Sequence, residues 1–253
     1  MTTAQRFFIE ISYDGTNYHG WQLQPNAVGV QEVLNKALST VLREDIETLG
    51  CGRTDTGVHA KQFFVHFDAR ESMVDGRWSM EKKNSLVRSI NALLPHDIAV
   101  KGIKPVEANA HVRFDATLRS YEYHIHFNKD PFKHNYSWLL RDEPDIGLMN
   151  EAAQIIMEYT DFSCFSKSNT QTKTNTCKIS KAQWVKTDDG IVFHISADRF
   201  LRNMVRAIVG TLLQIGRREI EPWEVRTIIQ SKNRSKAGTS VPACGLYLTE
   251  VLY

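Results

Sequence analysis

The sequence predicts an α+β protein made of two halves, each with an antiparallel sheet that helices cover on one face. Short β-rich runs alternate with amphipathic helical patterns along the chain. The same order of elements occurs in both halves. The 253 residues, 42% hydrophobic and 24% charged, have the composition of a globular protein.

The first half follows the order strand, helix, strand, strand, helix, strand. Its clearest element is a helix over residues 30–44, where apolar side chains recur every three or four residues along one stripe. A second helix over residues 80–94 is expected to end before Pro95, because proline disfavours helical backbone in the preceding residue. Strands are predicted over residues 7–13, 46–49, 62–67 and 98–103.

The second half repeats this order without a clear sequence repeat. Each half therefore matches the split β-α-β pattern of ferredoxin-like folds, and we expect two sheets that share a central cleft with helices on the outer faces. The domains are predicted over residues 1–105 and 106–253, with the boundary near Pro105 to Ala110. The elements of the second half are strands over 121–127, 179–185, 191–197 and 246–252, a helix over 146–159 and helices from Leu201 onward.

The distribution of charge and the spacing of the cysteines limit the classes of protein to which this sequence could belong. The formal charge is only +2, but residues 199–236 hold nine basic and three acidic residues, a local charge of +6. Such an asymmetry indicates one surface that faces an anion. The four cysteines show no spacing typical of a disulfide framework or a zinc site, and no stretch has the apolar length of a membrane span. We expect a cytoplasmic, soluble protein.

The densest local signal is GCGRTDTGVHA at residues 50–60, between two predicted strands. Its glycines indicate positive φ angles or close approach of another backbone. It is no dinucleotide-binding fingerprint, because Asp55 stands where the third glycine would be and no helix follows. Asp55 beside Arg53 is either a carboxylate presented for chemistry and kept ionised by the nearby cation, or an ordinary Asx-turn next to a solvated arginine.

Two further segments carry candidate residues. In the predicted helix FLRNMVRAIVG, Arg202 and Arg206 lie at the margin of the apolar face, where arginines often meet a buried carboxylate or a phosphate. The strand RSYEYHIHF places Tyr121 and a second tyrosine on one face, as core residues or as a platform for a base. Its two histidines lack a third ligand at a suitable spacing, so no metal is predicted. Residues 166–176 are predicted to form a mobile loop.

Seven sequence blocks follow one another along the chain: YDGTNYHGWQ, GRTDTGVHA, INALLP, HVRFDATLRSYEYHI, DFSCFSKS, FLRNMVRAIVG and GLYL. In this order they resemble the blocks of the TruA-type tRNA pseudouridine synthases, and the resemblance runs essentially from end to end. The resemblance implies isomerisation of uridine to pseudouridine at positions 38, 39 and 40 in the anticodon stem-loop of tRNA. It also implies a homodimer, no metal and no nucleotide cofactor.

The same resemblance assigns roles to residues. Asp55 matches the catalytic aspartate, Arg206 the arginine paired with it, Tyr121 the aromatic residue that stacks on the target base, and Arg53 the arginine that helps to displace that base. The chain differs from the usual residues of the family at Thr56, Asp115 and Arg202. These differences affect what the resemblance implies about the shape of the pocket and about which residues contact RNA. The residues expected to bind substrate are Arg53, Thr54, His59, Arg113, Arg202 and Leu246.

The residues themselves fit this chemistry but leave alternatives open. The isomerisation breaks the N-glycosidic bond and re-forms it through carbon, which needs neither a redox carrier nor water. A single carboxylate could add to the uracil ring, attack the ribose carbon or remove a ribose proton. A non-catalytic protein that binds structured RNA is the main alternative. A carboxylate hydrolase would need a second acid, for which Asp115 is the candidate.

Overall fold

The computed structural model describes residues 4–70, 79–167 and 174–253. Most of the loop predicted over residues 166–176 lies outside this part of the chain. Within it there are five α-helices and nine strands, and the strands form one mostly antiparallel sheet. The fold is therefore mixed α and β with antiparallel pairing, consistent with the predicted α+β class. The expectation of two separate sheets is wrong, because the last strand of the chain has a hydrogen-bonded neighbour on both sides.

The order of elements agrees with the predicted order. The strands are β1 (Ala4–Tyr13), β2 (Leu49–Gly50), β3 (His59–Arg70), β4 (Ile98–Val106), β5 (Leu118–His126), β6 (Trp138–Leu139), β7 (Ile179–Lys186), β8 (Gly190–Ala197) and β9 (Leu246–Leu252). The helices are α1 (Val30–Leu42), α2 (Met80–Leu93), α3 (Ile146–Ile156), α4 (Met204–Gly216) and α5 (Glu224–Gln230).

The differences lie at the element ends and have local causes. Helix α1 stops two residues before its predicted end because Arg43 adopts a left-handed conformation, with φ of 54°. Helix α4 begins only at Met204, since Asn203 is also left-handed, with φ of 65°. The strand predicted over residues 46–49 is reduced to the two residues of β2. The short strand β6, parallel to β5, was not predicted.

The chain divides into two compact units. The first holds the chain up to Ala116 together with residues 249–251 and 253, and the second holds residues 117–248 and 252. The predicted boundary at residues 105–110 covers the last two residues of β4 and the start of the connection to β5.

In the first unit, β1 lies between β4 and β3. Alternate residues of β1 are buried, and each faces an apolar partner across the β1–β3 pair, as a half-covered sheet requires. Helix α1 buries Leu34 and Leu38 along its apolar stripe, and α2, which packs against β4, buries Ile90. The apolar pairs are Phe7 with Phe67, Ile9 with Val65 and Ile11 with Phe63.

In the second unit, β8 lies between β5 and β7. Tyr123 of β5, Phe193 of β8 and Trp184 of β7 are buried on the face against which the helices pack. Helix α3 packs against β7 and α4, and α4 is buried along most of its length. This buried α4 fixes the position of the arginine in its first turn.

His66 of β3 couples the stability of the first unit to pH. Its side chain is 8% exposed, and Nδ1 accepts a hydrogen bond of 3.1 Å from the backbone N–H of Val112. Burial first, and then the charges of Arg6 and His111, lower the pKa of His66 from 6.5 to about 4. The folded protein therefore holds His66 in the neutral form at a pH where the unfolded chain binds a proton.

We expect the free energy of unfolding to fall as the pH decreases from 7 to 5, with His66 contributing up to about 2 kcal/mol of that loss. Urea denaturation at both pH values measures it. In His66→Gln the difference between pH 7 and pH 5 should be smaller, while the control His96→Gln, at an exposed position, should behave like the wild type. An equal loss in the wild type and His66→Gln would contradict this assignment.

Candidate active site

Asp55 lies on the loop that connects β2 to β3. Its carbonyl oxygen accepts a hydrogen bond of 3.2 Å from the N–H of Val58, which closes a four-residue turn. Gly57, third in this turn, has φ of +78°, the left-handed conformation that a type II turn needs at that position. Asp55 is half-buried and Arg53 is exposed. The turn thus presents a half-buried carboxylate with an exposed cation two residues before it in the sequence.

A second segment, residues 13–22, packs against this loop through its backbone. Gly20 has φ of +85°, and a Cβ placed on it would lie 2.3 Å from the carbonyl oxygen of Thr54. A Cβ on Gly15 would lie 2.1 Å from the carbonyl oxygen of Val58. Glycine is therefore required at both positions, since any side chain would force the two backbones apart.

Hydrogen bonds reinforce this contact. The N–H of Trp21 donates to the carbonyl of Thr54 at 3.4 Å, and the N–H of Gly57 donates to the carbonyl of Tyr18 at 3.3 Å. The hydroxyls of Thr54 and Tyr13 lie 2.9 Å apart. The loop is therefore bonded to the neighbouring segment on both sides of Asp55.

Buried polar side chains complete the support. Nδ1 of His59, a residue that is 2% exposed, lies 3.1 Å from the backbone nitrogen of Gly15 and 3.0 Å from Oδ1 of Asp14. The Tyr18 hydroxyl donates to Asp97 at 2.6 Å, and burial together with this carboxylate raises the pKa of Tyr18. The phenol therefore stays protonated as a donor. Sequence reasoning did not single out Tyr13, Tyr18 or Asp97. The two tyrosines lie in the block YDGTNYHGWQ, whereas Asp97 lies two residues beyond the block INALLP.

In the second unit, Arg206 lies in the first turn of α4. Its Nε donates to the carbonyl of Val241 at 2.7 Å, and the N–H of Val241 donates back to the carbonyl of Arg206 at 3.3 Å. The Tyr123 hydroxyl donates to the next carbonyl, that of Pro242, at 2.8 Å. These bonds hold the segment before β9 in place and fix the position of the Nε atom of Arg206.

The two tyrosines that share one face of β5 have different environments. Tyr123 is fully buried, and burial raises its pKa, so its hydroxyl serves as a structural donor. Tyr121 is half-buried, and its ring contacts Phe200 edge to face at a centroid distance of 5.0 Å. Tyr121 is therefore the more exposed tyrosine of this pair.

The remaining predicted substrate residues differ in exposure. Arg202 is exposed and its carbonyl accepts from the N–H of Lys167 at 3.2 Å, whereas Leu246, at the start of β9, is buried. Arg113 is exposed in the first unit. Asp55, Arg53, Thr54 and His59 belong with Arg113 to the first unit, and Arg206, Tyr121, Arg202 and Leu246 to the second.

The basic stretch over residues 199–236 is partly neutralised. Four of its cations pair with acids, three of which lie far away in the sequence. Lys232 lies 2.8 Å from Asp161, and this ammonium, with the Ser163 hydroxyl, lowers the pKa of Asp161 to about 2. The local charge of +6 counted from the sequence therefore overstates what this surface offers to an anion. The pairs are Arg217 with Glu219, Arg218 with Asp145, Arg226 with Glu158 and Lys232 with Asp161.

The described part of the chain contains neither a cluster of three candidate metal ligands nor a helix that could span a membrane. No group of three or more His, Cys, Asp or Glu side chains is arranged to hold a metal ion within residues 4–70, 79–167 and 174–253. His124 instead bonds to Glu122 at 3.0 Å. None of the helices in these ranges is long and apolar enough to cross a membrane.

Comparison with known proteins identifies the family. The family model described as tRNA pseudouridine synthase matches residues 10–115 and 155–253, which contain the Asp55 loop and the Arg206 helix. The chain belongs to the tRNA pseudouridine synthase family. Members of this family are isomerases that act on tRNA.

Relatives within this synthase family align over nearly the whole chain. The tRNA pseudouridine synthase A of Bacteroides fragilis is 48% identical over 252 residues, covering 99% of this chain and 97% of the relative. That of Bacteroides thetaiotaomicron is 50% identical, covering 98% and 91%. That of Clostridium acetobutylicum is 37% identical, covering 97% and 98%.

We expect Gly20→Ala to reduce pseudouridine formation by at least about tenfold, because the methyl group would displace the Thr54 carbonyl and with it Asp55. The matched control is Gly52→Ala on the same loop, where an added Cβ has no heavy atom within 4 Å. Single-turnover rates on a tRNA transcript compare the two. Equal rates in both variants would show that the close approach of Gly20 does not position the site.

Proposed function

We propose that this synthase isomerises uridine to pseudouridine at positions 38, 39 and 40 in the anticodon stem-loop of tRNA, with Asp55 as the catalytic residue. The observation that carries the proposal is the built turn around Asp55, in which two glycines, two backbone hydrogen bonds and a buried histidine hold a half-buried carboxylate in place. A purely structural Asx-turn would not need support on both sides.

A single carboxylate suffices for the proposed reaction. The bond from ribose C1′ to uracil N1 breaks, the base rotates, and a bond from C1′ to C5 forms. C5 gives up its proton and N1 takes one up, so the product is an isomer of the substrate. Asp55 serves as a nucleophile toward the ring or the ribose, or as the base that removes a ribose proton. The target base must leave the stack, at a cost of a few kcal/mol that contacts to the displaced nucleotide offset.

The other predicted site residues have positions suited to binding the displaced nucleotide. We propose that Arg206 pairs with Asp55, which is supported by the hydrogen bond that holds the Nε of Arg206. We also propose that Tyr121 stacks on the displaced uracil, which is supported by its partly exposed ring. The exposed Arg53 enters the space left by the base. Thr54, Arg113, Arg202 and Leu246 contribute to substrate binding, while the buried His59 acts through the loop that it supports.

We also propose that each half of the chain has a ferredoxin-like fold. In the first unit the neighbouring strands run β4, β1, β3, β2, and in the second β9, β5, β8, β7. The fourth, first, third and second strands of each β-α-β-β-α-β series are thus adjacent, which supports a ferredoxin-like pattern in each half. That the two halves share a cleft is part of the proposal. We further propose the domain division at residues 105 and 106, a homodimer, and a cytoplasmic location where tRNA is found.

Replacing Asp55 by Asn should abolish pseudouridine formation and leave tRNA affinity within a few-fold, because the amide keeps the shape but is neither nucleophile nor base. Single-turnover assays on transcripts with uridine at positions 38, 39 and 40, together with filter binding, measure both quantities. Asp115→Asn is the control, and it also tests the two-carboxylate hydrolase.

Substantial turnover by Asp55→Asn would remove the catalytic role from this residue. Failure of the wild type to form pseudouridine, together with unchanged RNA affinity in the variant, would instead favour a protein that only binds structured RNA.

Tyr121→Ala should slow the single-turnover rate more than Tyr121→Phe, because phenylalanine retains the ring that stacks on the base. The opposite ranking would assign the essential function to the hydroxyl as a proton donor. Tyr123→Phe is the matched control: it should lower stability by about 1 kcal/mol through loss of the bond to Pro242, with a smaller effect on the rate.

A further inference from the structure

The turn HVRFD at residues 111–115 presents an aromatic ring to solvent. Phe114 is 75% exposed, and its ring stacks on the imidazole of His111 at a centroid distance of 4.1 Å and an interplanar angle of 28°. The guanidinium carbon of Arg113 lies 5.9 Å from the centre of the same ring. The turn thus combines an open aromatic surface with an adjacent cation.

Hydrogen bonds within the turn hold this ring in position. The His111 carbonyl accepts from the N–H of Phe114 at 3.1 Å and from that of Asp115 at 3.0 Å. The Asp115 carboxylate accepts from the N–H of His111 at 2.6 Å, and Nδ1 of His111 accepts from the N–H groups of Arg113 and Phe114 at 3.2 Å. A ligand that stacks on Phe114 would therefore meet an ordered ring, which reduces the entropy lost on binding.

The turn is also fixed to the core without any help from Phe114. The buried Val112 donates its N–H to His66 at 3.1 Å and accepts from the Tyr253 hydroxyl at 2.8 Å. Arg6 donates to the carbonyl of Ala110 at 3.0 Å. Isolated exposed apolar residues are ordinary on protein surfaces. Phe114 differs because it is pre-stacked, next to a cation and mounted on an anchored turn.

We propose that Phe114 is a stacking platform for an unpaired base of the bound tRNA, with Arg113 contacting the adjacent phosphate. The face of an aromatic ring and a guanidinium are the groups by which proteins bind single-stranded nucleotides. Bases in a duplex already stack on their neighbours, so the ligand is a loop nucleotide or another unpaired nucleotide. This inference rests on the proposed function in one respect, that the bound RNA is tRNA.

The test measures the affinity of Phe114→Ala, Phe114→Tyr and Arg113→Gln for an unmodified tRNA transcript by filter binding at several salt concentrations. We expect Phe114→Ala to weaken binding by about 5- to 100-fold and Phe114→Tyr by less than about twofold, because tyrosine keeps the ring. The salt slope should stay unchanged in both variants, since no charge is lost. Arg113→Gln should lower the slope by roughly one.

Two controls separate stacking from general loss of apolar surface. Phe132, like Phe114, is an exposed ring next to a cation in the sequence: it is 88% exposed and is followed by Lys133. The Phe132→Ala variant should bind tRNA like the wild type. A blunt RNA duplex without unpaired bases should bind to Phe114→Ala and to the wild type equally.

Three results would overturn the proposal. The first is Phe114→Ala binding tRNA as tightly as the wild type. The second is an equal loss of affinity for the duplex. The third is a change of sedimentation from dimer to monomer in Phe114→Ala, which would assign the ring to a contact with a second copy of the chain. Pseudouridine formation by the wild type is measured separately, so its absence would refute the proposed function and not the stacking contact.

Discussion

The candidate site depends on the close approach of two backbones in the first unit. At Gly15 and Gly20 the segment after β1 comes so near to the loop after β2 that a single methyl group would overlap the carbonyl oxygens of Val58 and Thr54. The carboxylate of Asp55 is therefore positioned by main chain and not only by side-chain packing. Backbone contacts of this kind tolerate little displacement, and a displacement of about 1 Å is enough to impair catalysis.

The second unit uses a related arrangement to place its candidate groups. A Cβ on Gly210 of α4 would lie 1.9 Å from the Thr239 carbonyl oxygen, so the segment before β9 lies directly on the helix. Arg206 then donates to the carbonyl of Val241, and Tyr123 donates to the carbonyl of Pro242. Arg206 and Tyr121 consequently stand on a buried helix and a paired strand, which restricts their motion relative to each other.

In the second unit, a charge count along the sequence overestimates the positive charge that the folded surface presents. The count of +6 over residues 199–236 considers only charges that are close along the chain. Folding brings Asp145, Glu158 and Asp161 to three of those cations, and an exposed paired cation contributes less to the attraction of a phosphate backbone. Arg202 is exposed, and it remains among the proposed RNA contacts.

The sequence by itself determined the order of the elements, the long helices and the block that contains Asp55, because hydrophobic period and glycine content are local properties. It did not determine where α1 ends and where α4 begins, since Arg43 and Asn203 adopt left-handed conformations that side-chain pattern does not encode. Nor did periodicity separate Tyr121 from Tyr123, which share one face of β5. Only the tertiary structure decided between them: the segment before β9 covers Tyr123 and accepts its hydroxyl hydrogen bond, whereas Tyr121 remains partly open. That outcome depends on contacts between residues more than a hundred positions apart, which no local pattern contains.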